Sequence, residues 1–256
     1  MSAEDILSQP QPAPDQRLAY GSDLNQFLEI RIPKGRGPHR ALLNIHGGYW
    51  RAKYDLRHAG HLCEALRSAG IATFNIEYRR VGNEGGGWPG TFADIRSAYQ
   101  SVRQRVSEFH LDSRRLAVMG HSAGGQLALC LAAHESTVRG AISLAGVVDL
   151  KRAYSLHLSN DAVVEFLGGK PDQVPEHFRE ADPSVLTITH ARQWLLHGKD
   201  DDSVPPDFSR DYAAQKKKRG EQVELVEIAH AGHFELIDPG SGAFRQVQSA
   251  VMAACG

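Results

Sequence analysis

Short apolar, β-branched runs alternate along this chain with longer stretches whose apolar residues recur every three or four positions, a rhythm that few folds satisfy. The runs at residues 27–32, 41–45, 71–78, 116–119, 141–144, 194–196 and 223–228 read as strands, and 56–68, 92–109, 123–133, 208–219 and 243–254 as helices. Strands separated by helices predict an α/β fold with a mainly parallel central sheet flanked by helices. One stretch, 151–190, is longer than a connection between two strands needs, so a short helical insertion over the site is expected there. Residues 8–16 are proline-rich and polar. The expected organisation is therefore an extended N-terminal arm over residues 1–16 and a single domain over 17–256.

Composition excludes several classes. A net charge of −1 offers no field for a nucleic acid, and the one dense basic run, Lys216-Lys217-Lys218-Arg219, is expected at a solvated helix end. Cys63, Cys130 and Cys255 are an odd number without metal-ligand spacing, which argues for a reduced compartment and against a structural zinc site. His58, His61 and Glu64 share a helix face that is expected to be a solvated polar one, not a metal site. Neither a basic leader nor an apolar run of membrane-spanning length is visible, so a cytoplasmic protein with no membrane partner is expected, as monomer or homodimer.

Gly120-His121-Ser122-Ala123-Gly124 stands between the strand at 116–119 and the Ala-rich helix at 123–133. A Gly-x-Ser-x-Gly segment in strand-turn-helix context raises the serine on a strained turn, where it can serve as a nucleophile. Gly120 and Gly124 remove side chains that would collide as strand and helix approach. The bland alternative is a tight turn with no chemistry. His121, beside the candidate nucleophile, is a candidate substrate contact.

Upstream, His46-Gly47-Gly48-Tyr49-Trp50 follows the strand at 41–45, where a glycine-rich turn can aim backbone N–H groups at a developing oxyanion. This segment resembles the HGG motif of lipases and esterases of the hormone-sensitive-lipase type and the HGGxW form of kynurenine formamidases, and is similar to feruloyl and acetylxylan esterase relatives. Ile76-Glu77-Tyr78-Arg79, Trp88-Pro89 and Phe92-Ala93-Asp94-Ile95 also look like framework of these α/β-hydrolases. The resemblance implies an α/β-hydrolase fold and an oxyanion hole built from the N–H groups of Gly48, Tyr49 and Ala123, with Gly47 the weaker candidate. Tyr49 stands where the HGGG form has a third glycine, which narrows the acyl side.

In such folds the triad follows the chain order serine, acid, histidine. Of thirteen histidines only His230 and His233 follow the candidate acid loop. Gly232-His233-Phe234 resembles the Gly-His-Phe segment of these hydrolases and implies His233. The loop His197-Gly198-Lys199-Asp200-Asp201-Asp202-Ser203-Val204-Pro205 resembles their His-Gly-x-x-Asp-x-x-Val-Pro segment and implies Asp201. Asp202, Asp200 and, more distantly, Asp149 stay open as alternatives.

The expected activity is hydrolysis of small acyl or aryl esters through an acyl-enzyme, without metal or organic cofactor. Trp50, Trp88 and Tyr154 are candidates for an aromatic pocket wall, although each is equally a candidate core residue. An arylformamidase cleaving N-formylkynurenine is the rival enzyme, and a ligand-binding protein on a hydrolase scaffold the rival of a different class.

Overall fold

In the computed structural model, which describes residues 6–256, all seven expected strands enter one sheet. They are β2 (Phe27–Arg31), β3 (His39–Ile45), β4 (Ile71–Glu77), β5 (Leu111–His121), β6 (Gly140–Leu144), β7 (Arg192–Gly198) and β8 (Val223–Ile228), joined by an eighth, β1 (Gln16–Ala19), which sequence patterning did not announce. The spatial order is β1-β2-β4-β3-β5-β6-β7-β8. β1 and β2 run antiparallel to their neighbours, and every later pair is parallel. β1 escaped notice because it is a polar edge strand, held by its ladder to β2 and by Arg17 on the buried Glu29 carboxylate at 2.7 Å. β5 begins five residues earlier than apolar patterning suggested. Its register against β3 shifts between His39 and Ala41, and the irregular stretch carries charged residues that the core does not need.

Both faces of the sheet are covered. α2 (Gly90–Gln104), α3 (Ala123–His134) and α7 (Asp207–Lys218) pack on one face, around Leu43, Ile45, Val118, Leu127 and Phe208. α1 (Gly60–Ser68) and α8 (Phe244–Ala254) pack on the other, around Leu42, Met119, Leu66 and Val251. α1 and α8 bury one face each, whereas α3 is buried all along Ala123 to Ala132 and is apolar almost all round. The stretch 151–190 forms three short helices, with α4 (Leu150–Ser155) opening it, then α5 (Ala162–Leu167) and α6 (Pro175–Ala181). The N-terminal segment does not stand away from the domain: Ile6, just ahead of the proline-rich stretch, is buried among Leu42, Leu66 and Val251, and Pro12 O accepts from the buried Arg31 guanidinium at 2.7 Å.

Two expectations need correction. Lys216 is fully buried, with Nζ donating to Leu186 O and facing Glu221 Oε1 at 3.4 Å, so only Lys217, Lys218 and Arg219 form the solvated basic end. The helix expected at 92–109 starts at Gly90 and ends at Gln104. Among the described residues no helix is long and apolar enough to cross a membrane.

Consecutive strands leave β3 to opposite sides, β4 to one and β5 to the other, so the carboxyl ends of β3 and β5 flank the crevice where open α/β sheets bind ligands. The chain turns from β5 into α3 there with no room to spare: a Cβ on Gly124 would lie 2.1 Å from Ile45 O and 2.6 Å from His46 O, and one on Gly120 2.0 Å from Gly124 O. Overpacking against backbone costs about 1–3 kcal/mol or more. Gly124→Ala is therefore expected to lower the calorimetric unfolding midpoint by about 4 °C or more. An unchanged midpoint would contradict the contact.

Candidate active site

Ser122 is the single residue between β5 and α3, at φ 56° and ψ −119°. That conformation is strained for a residue with a Cβ and persists because the surroundings over-determine it. Its N–H donates to Leu144 O at 2.8 Å, and its carbonyl accepts from Gly125 at 2.9 Å and from Gln126 and Val147 at 3.3 Å. Strand pairing on one side and the first helical turn on the other thus fix the backbone and present the hydroxyl at the sheet's carboxyl edge. The N-terminus of α3, with Ala123 as its first residue, adds a field that favours negative charge at this point.

His233, in the turn after β8, lies across from Ser122, and its Nδ1 donates to Asp201 Oδ2 at 2.7 Å. Asp201 is buried in the turn after β7. Its Oδ1 accepts from the backbone N–H groups of Ser203 at 2.9 Å and Val204 at 2.8 Å, and Oδ2 also faces His197 Nε2 at 3.2 Å. Burial alone would raise this carboxyl, but the hydrogen bonds from His197 and His233 outweigh it and hold Asp201 well below the usual carboxylate range. The other acids implied by sequence stand elsewhere. Asp200 and Asp202 are exposed, and Asp149 caps α4 by accepting from Arg152 N at 2.8 Å. His230 is exposed as well. Close approach of the two loops depends on Gly198, where a Cβ would lie 2.2 Å from Ala231 O, rather than on Gly232, where the nearest atom is 3.2 Å away.

On the opposite side, Gly48 has φ 107°, and Tyr49 and Trp50 continue the left-handed turn at 49° and 58°. Among the described residues, the Gly48 and Tyr49 N–H groups donate to no protein acceptor, whereas Gly47 N–H is engaged by His58 Nε2 at 3.2 Å. The Tyr49 hydroxyl donates to Ser203 O at 2.9 Å, tying this turn to the loop that carries Asp201.

Ser122 and His233 share a cavity of about 230 Å³ with Gly48, Tyr49, His121 and Ser203. The rest of its wall comes from Leu7, Tyr54, His58 and Phe234, none of which sequence reasoning placed at the site. Leu7 and Tyr54 carry no local signal. His58 was expected on an exposed helix face, but it lies in a 3-10 turn (Leu56–Ala59) ahead of α1, only 8% exposed, because the tighter winding rotates it inward. Its former face-mates point elsewhere: Glu64 pairs with Arg67, and His61 is half-buried.

The expected aromatic wall is not here. Trp50 is 1% exposed, stacked on Phe166 at 4.6 Å with Nε1 donating to Gln126 Oε1 at 3.0 Å, so both its face and its polar atom are used inside the core. Trp88 stacks on Phe92 and Tyr154 lies beside His157. Neither lines this cavity, and neither does any residue of 151–190. His121 does line it, with Nε2 donating to His233 O at 3.0 Å, so this ring also steadies the backbone of the histidine opposite Ser122.

Burial keeps both inner histidines neutral, pushing His58 down from 6.5 to about 3 and His121 well below its ordinary value. As pH falls below about 6.5 the unfolded chain binds protons that these folded rings refuse, so stability declines from there towards pH 3. Replacing His58 by Gln removes one such group. Between pH 7 and 5 the stability of His58→Gln relative to wild type should therefore improve by on the order of 1–2 kcal/mol in urea unfolding. A pH-independent difference would contradict a buried neutral His58.

Comparison with known proteins accords with this architecture. Esterase LipC of Mycobacterium tuberculosis is 26% identical over 248 residues, 87% of this chain and 60% of LipC. Esterase LipQ of the same organism is 26% identical over 222 residues, 80% of this chain and 52% of LipQ. The chain thus spans only part of the length of these curated relatives. Among solved structures, a truncated carbohydrate esterase from gut microbiota superposes with a TM-score of 0.82 at 19% identity, covering 96% of this chain and 99% of its own. Propionate-bound esterase Est2 of Thermogutta terrifontis does so at 0.72 with 25% identity, covering 96% and 94%. The fold is that of the α/β-hydrolases. The BD-FAE family profile matches residues 28–215, and the chain belongs to the BD-FAE family.

Proposed function

We propose that this protein is a carboxylic ester hydrolase in which Ser122 is the nucleophile, His233 the general base and Asp201 the acid that orients it. What carries this reading is the meeting of Ser122 and His233 on one cavity, with His233 Nδ1 2.7 Å from a buried Asp201 carboxylate. The proton on Nδ1 leaves the Nε2 lone pair free to take the Ser122 hydroxyl proton as the oxygen attacks the ester carbonyl. Asp201 stabilises the imidazolium that forms. The N–H groups of Gly48, Tyr49 and Ala123 receive the oxyanion, the alcohol leaves with the proton from His233, and water activated by the same ring releases the acid.

The substrate class follows from dimensions. A cavity of about 230 Å³ is below the range of roughly 300–1,000 Å³ that holds drug-sized ligands, and Leu7, Tyr49 and Tyr54 wall it, which favours short acyl groups. The esterase names of the curated relatives support the same class. A second reading, arylformamidase, rests on His46-Gly47-Gly48-Tyr49-Trp50 alone.

A fluorophosphonate probe is expected to label Ser122, by peptide mapping, and not to label Ser122→Ala; a folded wild-type protein that stays unlabelled supports a binding role instead. p-Nitrophenyl acetate should be turned over faster than p-nitrophenyl octanoate, and N-formylkynurenine negligibly, whereas its efficient cleavage selects the second reading. Asp201→Asn should lower kcat by about 10⁴, the loss seen when this carboxylate is neutralised in serine proteases. Asp202→Asn should change it less than about twofold, and the reverse order would reassign the acid.

A further inference from the structure

The polar network behind the glycine turn has more members than the triad needs, and they converge on one peptide. Two peptide units flank Gly47. The first, between His46 and Gly47, is held at both ends: Tyr78 Oη donates to His46 O at 2.8 Å, and Gly47 N–H donates to His58 Nε2 at 3.2 Å. The second, between Gly47 and Gly48, has its carbonyl turned to His46 Nδ1, which donates to it at 2.7 Å. A trans peptide points its N–H opposite to its C=O, so this contact turns Gly48 N–H away from the His46 ring.

The anchors are themselves anchored. The 3-10 turn bearing His58 is fixed to the end of β4, where Asn75 Nδ2 donates to Leu56 O at 2.9 Å and Glu77 Oε2 accepts from Leu56 N at 3.1 Å. Glu77 Oε1 faces His46 Nε2 at 3.2 Å, and the His46 ring stacks on Tyr78 at 4.4 Å. One strand end therefore sets both sides of the clamp. His58 can accept only as a neutral ring, and burial, reinforced by His46 and His233 and opposed by Asp55, keeps it so down to about pH 3.

We infer that His58 and Tyr78 are positioning residues of the oxyanion hole, which hold the His46-Gly47 peptide so that Gly48 N–H is aimed at the carbonyl oxygen under attack by Ser122. The inference rests on the esterase reading given above. Its chemistry is indirect, because neither side chain touches the substrate's reacting atoms: His58 removes Gly47 N–H from competition as a donor, and Tyr78 fixes the other end of the same plane. A clamp of this kind acts on the transition state, where the oxyanion exists, and leaves ground-state binding unchanged.

The test compares two isosteric replacements. Gln can place its Oε1 where Nε2 stands, whereas the oxygen of Asn reaches only the Nδ1 position. With p-nitrophenyl acetate, His58→Asn should lower kcat about 10- to 100-fold with KM within about threefold, while His58→Gln stays within about threefold in both. Tyr78→Phe, which keeps the ring and loses only the hydroxyl, should lower kcat at least threefold at unchanged KM, and it decides the matter if His58→Asn does not fold. Equal kcat for His58→Gln and His58→Asn, or an undiminished kcat in Tyr78→Phe, overturns the inference while the esterase reading stands. A wild-type protein that neither turns over the ester nor reacts with the fluorophosphonate overturns both.

Discussion

The reversal of the chain at Ser122 sets the terms for everything around it. A central strand buried on both faces must hand over to a buried helix within one residue, and the close approach of Gly124 to Ile45 O and of Gly120 to Gly124 O leaves a single backbone path. Ser122 pays for that path with a positive φ, stabilised through Leu144 O, Gly125 N and Gln126 N. Because strands β3, β5, β7 and β8 are parallel, their carboxyl ends lie on the same edge, and the loops that follow them converge on this turn from three sides. The topology supplies the meeting point, and the loop chemistry decides what meets there.

Each loop solves the same difficulty, a polar group that must be buried without being left unpaired. Asp201 divides its two oxygens, one to the backbone of Ser203 and Val204 and one to His197 and His233. His197 is in turn held by Ser209 Oγ at 2.7 Å and Val204 O at 2.9 Å. Such a network fixes one tautomer and one rotamer per member, since a ring facing a carbonyl or carboxylate can only donate. The Tyr49 hydroxyl on Ser203 O then couples the glycine turn to the acid loop, so displacement of either turn would be felt by the other.

Periodicity located every central strand and the covering helices, because burial on both faces or on one face writes itself into spacing. It was silent where the constraint is not periodic. β1 is held by backbone pairing and Arg17, and Leu7 reaches the cavity from a segment whose prolines suggest only an arm. Motif resemblance pointed to Ser122, Asp201 and His233, which the loops after β5, β7 and β8 bring together around one cavity and one hydrogen bond. It misled at Trp50 and Trp88, where an aromatic near a motif looks like a pocket wall and in fact packs with Phe166 and Phe92. His58 failed for a subtler reason. An α-helical wheel puts it beside His61 and Glu64, and only the change of winding at Leu56–Ala59, with Asp55 accepting from Arg57 N at 2.9 Å, turns it inward.

Tyr49 stands where the HGGG form has a third glycine, and the same constraint shapes the cavity there. A tyrosine at φ 49° costs on the order of 1–3 kcal/mol relative to a relaxed backbone, so it persists only where its side chain returns something. Here the ring narrows the cavity beside Ser122 and the hydroxyl bridges to Ser203, and Tyr54 packs close behind Gly48. Leu7 closes a further side from the N-terminal segment, although it is separated from the glycine turn by about forty residues of chain. Volume beside Ser122 is thus restricted by side chains from separate parts of the chain, and Tyr49 among them is tied through Ser203 to the loop that carries Asp201. Enlarging the cavity at Tyr49 is then a change to the support of this loop as well as to the cavity's width.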